Sequence, residues 1–242
     1  MESVSRYWPS ARAARYSLLF ALPLLLAYEG LAWVLGQGGH SGVRNGADVL
    51  LKSLFLALGG RNGLTLFTLL LLGGGAVLVI RDIRRNGWPR VRAFALMAGE
   101  SLVYALLLGF VASALTSVLL RGSLVIGMQT PMSTLDLPTR VMISLGAGIY
   151  EELLFRVLLV GALALLATRV FRWRPLPAGL FAAVLGALVF SAFHYIGPYG
   201  DSWEAGSFTF RAVAGLLFSG LYLVRGFGIA AWTHAIYDLL LV

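Results

Sequence analysis

Long apolar blocks separated by short basic stretches organise this chain. With about 20 consecutive apolar residues needed for one bilayer crossing, seven blocks qualify, at about residues 16–36, 63–80, 93–120, 141–170, 176–195, 210–224 and 228–242. The last two are short, which predicts helices that are tilted or packed inside a bundle. A membrane β-barrel would instead alternate apolar and polar residues over segments of roughly ten, and no such period is present. The pattern therefore predicts an all-α, polytopic transmembrane helical bundle of about seven spans. A re-entrant or interfacial helix near 47–58 would make an eighth helix without changing the parity of the crossings. No internal repeat or low-complexity linker breaks the pattern, so one integral membrane domain over 1–242 is the simplest organisation.

Composition strengthens that reading. The chain is 59% hydrophobic and 12% charged, against about 25% charged in an ordinary soluble domain. Its mean hydropathy is +0.83. The net charge of +8 raises nucleic acid as a partner, but the arginines gather in the short connections, as the positive-inside rule describes. Arg12 and Arg15 precede the first block, Arg81, Arg84, Arg85, Arg90 and Arg92 follow the second, and Arg169, Arg172 and Arg174 follow the fourth. The reading is no nucleic-acid partner, a cytoplasmic N-terminus and, for a small basic chain, a prokaryotic plasma membrane. The first block starts like a signal peptide but lacks a small-x-small cleavage site, which predicts a retained helix. The sequence holds no cysteine, which excludes disulfides and thiolate chemistry.

Against this background the fourth block is anomalous, because it places Glu151, Glu152 and Arg156 among apolar residues. A charged side chain at the centre of a span costs about 2.5–3.5 kcal/mol on insertion scales, so such residues usually face the bundle interior and serve a purpose. On an α-helix Glu152 and Arg156 are i,i+4 and can pair. Glu151 lies about 100° around the helix and needs another partner. Two further polar clusters follow: "FSAFH", ending in His194, and "HAIYD", with His234 and Asp238 on one helical face. A carboxylate and two histidines from three helices are what the activation of a water requires. One route is a Glu acting as general base. The other is Zn²⁺ held by Glu151, His194 and His234, with Asp238 beside it and one position open.

These clusters resemble, in order, the E-E-x-x-x-R, F-x-x-x-H and H-x-x-x-N/D motifs of the CPBP (ABI) intramembrane proteases, a family that includes the type II CAAX prenyl proteases. The resemblance covers Tyr150 to Asp238, and a motif-bearing core of about 93–242 accommodates it. It implies an intramembrane endopeptidase acting on a membrane-associated protein or peptide, CAAX-type processing included. It implies that Glu151 is the base acting on water with His194, and that Glu152 and Arg156 shape the site. His234 and residue 238 would then hold the tetrahedral oxyanion. Residue 238 is Asp here, and an ionised Asp cannot donate to an oxyanion as Asn can. That favours a His-orienting or metal-binding role for Asp238.

Two readings from other classes stand beside this one. Intramembrane Glu, His and Asp could form the relay of a proton-coupled transporter, although no repeated halves with paired broken helices are present. A non-catalytic membrane scaffold or immunity-type protein is the third. Blander expectations attach to other residues. Glu29 and Glu100 are expected to line the same cavity or satisfy Arg156 or Arg211, as support rather than chemistry, and Gly73–Gly75 to allow close helix packing. Phe190, Tyr195 and Trp232 read as packing residues, and His40 as solvated.

Overall fold

The computed structural model describes residues 7–8, 10–37, 43–121, 135–197 and 200–242. Every regular element among them is helical. The N-terminal half contains α1 (Ala14–Gln37), α2 (Gly46–Thr68), a π-helical stretch (Leu69–Gly73), α3 (Gly74–Asn86) and α4 (Val91–Leu119). In the C-terminal half, α5 (Leu137–Gly146), a long π segment (Ala147–Val160) and α6 (Gly161–Arg169) follow one another without a break. They are followed by α7 (Pro175–Phe193), α8 (Ala205–Arg225) and α9 (Phe227–Leu239). Their ends carry the expected punctuation. Prolines open α5 and α7, where a missing N–H costs nothing. His40 lies outside the described residues.

Five stretches are long and apolar enough to cross a bilayer: Ala14–Gln37, Gly46–Asn86, Val91–Leu119, Pro175–Phe193 and Ala205–Arg225. Their outward faces are apolar stripes at helical spacing, such as Leu102, Leu106 and Phe110 on α4 and Leu176, Leu180, Val184 and Leu188 on α7, all exposed. Apolar surface of this extent belongs against lipid rather than water. The protein is an integral membrane protein.

The stretch Gly46–Asn86 is not one straight rod. Gly59 and Gly60 leave the helical region, and Gly60 has φ +57°, a conformation glycine adopts without strain. The rings of Phe55 and Phe67 stand 5.3 Å apart, although a straight helix would separate these positions by about 18 Å. The chain therefore doubles back, and 46–58 forms the separate short helix expected before the second crossing. Two expectations change here. α8 extends beyond 210–224 to Ala205–Arg225, so it reaches crossing length. Gly73–Gly75 have no neighbour within 4 Å of where a Cβ would sit and mediate no close helix packing.

α9 organises the core. Its 13 residues span about 20 Å, short of the roughly 30 Å hydrocarbon layer. Instead of facing lipid it buries Ile229, Ala230, Ala231, Thr233, His234 and Ala235, packed among α1, α4, α5, the π segment and α8. Small side chains let backbones approach closely in a membrane bundle. At Gly148 a Cβ would stand 2.4 Å from the Ala231 carbonyl oxygen. That backbone contact between the π segment and α9 sets the distance from the glutamates to His234.

Candidate active site

The stretch from Tyr150 to Arg156 lies inside the π segment Ala147–Val160. Its far end shows the wide spacing directly, since Gly161 N–H donates to the carbonyl of Arg156, five residues back. Such turns are rare and concentrate at functional sites. They re-aim side chains relative to the α-helical template on which the glutamates were first placed. The Glu152–Arg156 pair still forms, but loosely, with Arg156 Nε 3.3 Å from Glu152 Oε2.

Glu152 is fully buried, and its other oxygen, Oε1, lies 2.7 Å from His234 Nδ1. It therefore joins the π segment to α9 rather than serving Arg156 alone. Arg156, 1% exposed, has no hydrogen-bond partner among the described residues on any of its three guanidinium nitrogens. Its charge is balanced by Glu152 and by two aromatic faces, Phe190 at 4.3 Å and Phe218 at 5.3 Å. Cation–π contacts of this kind strengthen when desolvated. Phe218 also stacks on the His234 ring at 4.4 Å, and Phe190 lies edge-on to His194 at 4.8 Å. These two aromatics thus touch both histidines and the arginine, and Phe190 does more than pack.

His194 caps the C-terminus of α7. Its Nδ1 lies 2.9 Å from the Phe190 carbonyl. A carbonyl only accepts, so Nδ1 carries the proton and Nε2 keeps its lone pair. The F-x-x-x-H spacing thus fixes a tautomer. The Asp201 N–H donates to the His194 carbonyl at 2.9 Å, and Asp201 is paired with Arg211. Glu151 is 8% exposed. Its Oε1 accepts from Asn45 Nδ2 at 2.8 Å, and it lies within Coulombic reach of His194 and His234.

Asp238 is partly open, with its side chain 26% exposed and Oδ2 3.7 Å from His234 Nε2. That is an ion-pair distance rather than a hydrogen bond. His234 therefore faces carboxylates through both ring nitrogens, and Glu151 has one oxygen held by Asn45. No group of three or more His, Asp or Glu placed to hold a metal ion is present among the described residues. The donors as arranged do not fit a three-ligand zinc centre.

The structure thus brings Glu151, Glu152, Arg156, His194, His234 and Asp238 into one region. The support expected from Glu29 and Glu100 goes elsewhere. Glu29 pairs with Arg44 and Lys52, Glu100 with Arg225, and neither with Arg156 or Arg211. Asn45 and Phe218 were not foreseen. Asn45 carries a local signal, because an Asn before "GAD" reads as a helix N-cap, but nothing in the sequence ties it to Glu151. No curated protein and no solved structure matches the chain. A family model does match, over residues 133–240, and its description is type II CAAX prenyl endopeptidase Rce1-like. The segment holding all three motifs is therefore similar to the CAAX protease family that those motifs resemble.

Proposed function

We propose that the protein is an intramembrane endopeptidase in which water, activated by Glu151 and His194, attacks a peptide carbonyl of a membrane-associated substrate. The observation that carries this reading is the meeting of carboxylates and imidazoles from the π segment, the end of α7 and α9 at one buried place. His194 Nε2 is the free lone pair, and Glu151 Oε2 the oxygen that takes the water proton. His234 holds the oxyanion. Donation from its Nε2 requires the imidazolium form, with Glu152 at 2.7 Å from Nδ1 and Asp238 at 3.7 Å from Nε2. In this role Asp238 orients His234 rather than donating itself. Glu152 fixes the ring of His234, and Arg156 balances Glu152. The mechanism routes no step through a metal.

The family description points to prenylated CAAX tails as the substrate class. The organisation that accompanies this reading is one membrane domain over 1–242, with its motif-bearing core at about 93–242. Its seven membrane segments count α5 to α6 as the fourth and the short, enclosed α9 as the last, and its N-terminus lies in the cytoplasm of a prokaryotic cell.

The test uses purified protein in proteoliposomes with a prenylated peptide ending in a CAAX sequence. Cleavage by wild type, its loss in both Glu151→Ala and His194→Ala, and its persistence under chelation support the proposal. Cleavage that survives both substitutions sinks it. Proton-dependent solute uptake without proteolysis points to a transporter instead.

A further inference from the structure

The match to the protease family begins at residue 133, yet the only neutral side chain bonded to Glu151 comes from far outside it, among the described residues. We propose that Asn45 is a positioning residue for Glu151, and that the ion-pair network around it extends the catalytic apparatus into the N-terminal half. The inference rests on the proteolytic reading above.

Asn45 is buried and uses every polar atom it has. Its Oδ1 accepts from Ala47 N–H at 2.9 Å, capping α2. That contact settles the amide orientation, since only an oxygen can accept there. Nδ2 therefore faces Glu151 Oε1 as a donor, at 2.8 Å. A donor at Oε1 holds the carboxylate in its ionised, accepting form and directs Oε2 away from Asn45.

The position of Asn45 is itself fixed. Its N–H donates to Tyr28 Oη at 3.3 Å, and Tyr28 Oη donates to Asp48 at 2.8 Å. Lys52 bridges Asp48 and Glu29, at 2.7 and 2.9 Å. Arg44 bridges the same two carboxylates, at 2.5 and 2.7 Å. Glu29 accepts from Tyr150 Oη at 2.5 Å, and Tyr150 is the residue before Glu151. The circuit is closed, with Tyr150 and Glu151 both held by the start of α2. Gly146 makes room for it, because a Cβ there would lie 2.7 Å from Asn45 Cβ and 2.6 Å from the Tyr28 ring.

Asn45→Asp separates this role from the helix cap, since Asp keeps the accepting oxygen for Ala47 and removes the donor to Glu151. Asn45→Ala removes the donor and adds no charge. Both are compared with wild type and Glu151→Gln in proteoliposomes, with a prenylated CAAX peptide as probe and thermal unfolding as a fold check. We expect kcat to fall on the order of 10- to 100-fold in both Asn45 variants, as misplacement of a reacting group does. KM should stay within about twofold, as for an interaction made only in the transition state, and Asn45→Asp should melt like wild type. Wild-type kcat in Asn45→Ala or Asn45→Asp, with Glu151→Gln inactive, overturns the role of Asn45 and leaves the proteolytic reading standing. Full activity in Glu151→Gln overturns both.

Discussion

Two polar clusters, joined through Asn45, are built in different ways in this bundle. In the cluster of Glu29, Arg44, Asp48 and Lys52, each carboxylate oxygen has a cation or hydroxyl within 2.9 Å. In the motif cluster, short bonds such as Glu152 to His234 at 2.7 Å and Glu151 to Asn45 at 2.8 Å stand beside long or missing ones. Glu152 and Arg156 stand 3.3 Å apart, His234 Nε2 and Asp238 stand 3.7 Å apart, and Arg156 lacks hydrogen bonds among the described residues. A polar network that only holds helices together gains from full satisfaction, because each unpaired buried group is costly. A network that must receive a substrate carbonyl and a water leaves hydrogen-bonding capacity unspent. On the proposed reading, the first cluster is scaffold and the second carries the chemistry.

Substitutions can break that contrast or sharpen it. The largest effect on turnover is expected at Glu151, where Glu151→Gln should lower kcat by about 10²–10⁴-fold, the usual worth of a general base. His194→Ala should fall in the same range, measured by peptide cleavage under single-turnover conditions. His234→Ala removes the oxyanion donor, for which a loss of about 10²–10³-fold is typical. Arg156→Met leaves Glu152 buried without its cation, and breaking such a pair costs about 3–5 kcal/mol. It should therefore appear first as a lowered unfolding temperature in detergent. Lys52→Met affects a partly exposed pair, worth about 1 kcal/mol or less, and should shift unfolding only slightly. The smallest effect on turnover is expected for Asp238→Asn, which keeps size and position and supplies a donor of its own. Loss of all activity in Asp238→Asn would show that the carboxylate does more than orient His234.

Much of the site was legible in the sequence because its logic is local. Charges in an apolar block, i,i+4 pairs and a histidine four residues after a phenylalanine all follow from helix geometry. The short last block, 228–242, was also legible as a helix that is tilted or packed inside the bundle. What escaped was set by tertiary packing. Composition does not predict that Tyr150 to Arg156 adopt π geometry. With it, Glu152 turns to serve His234 as well as Arg156. Asn45 reads as an N-cap, and its second bond reaches a residue 106 positions away. Phe218 sits in an unremarkable stretch of α8 and gains its place only when α9 is enclosed. Glu29 pairs with cations from the loop and helix that double back beside it, Arg44 and Lys52, which no helical spacing ties to it.

The central claim is that Glu151 activates water, and it is tested most directly by the rate of the chemical step. Wild type and Glu151→Gln are reconstituted in parallel and given a prenylated CAAX peptide, with cleavage followed by mass spectrometry in a single turnover. The account predicts cleavage by wild type and a drop of about 10²–10⁴-fold in Glu151→Gln, with unchanged unfolding temperature. Equal rates in the two proteins would contradict it.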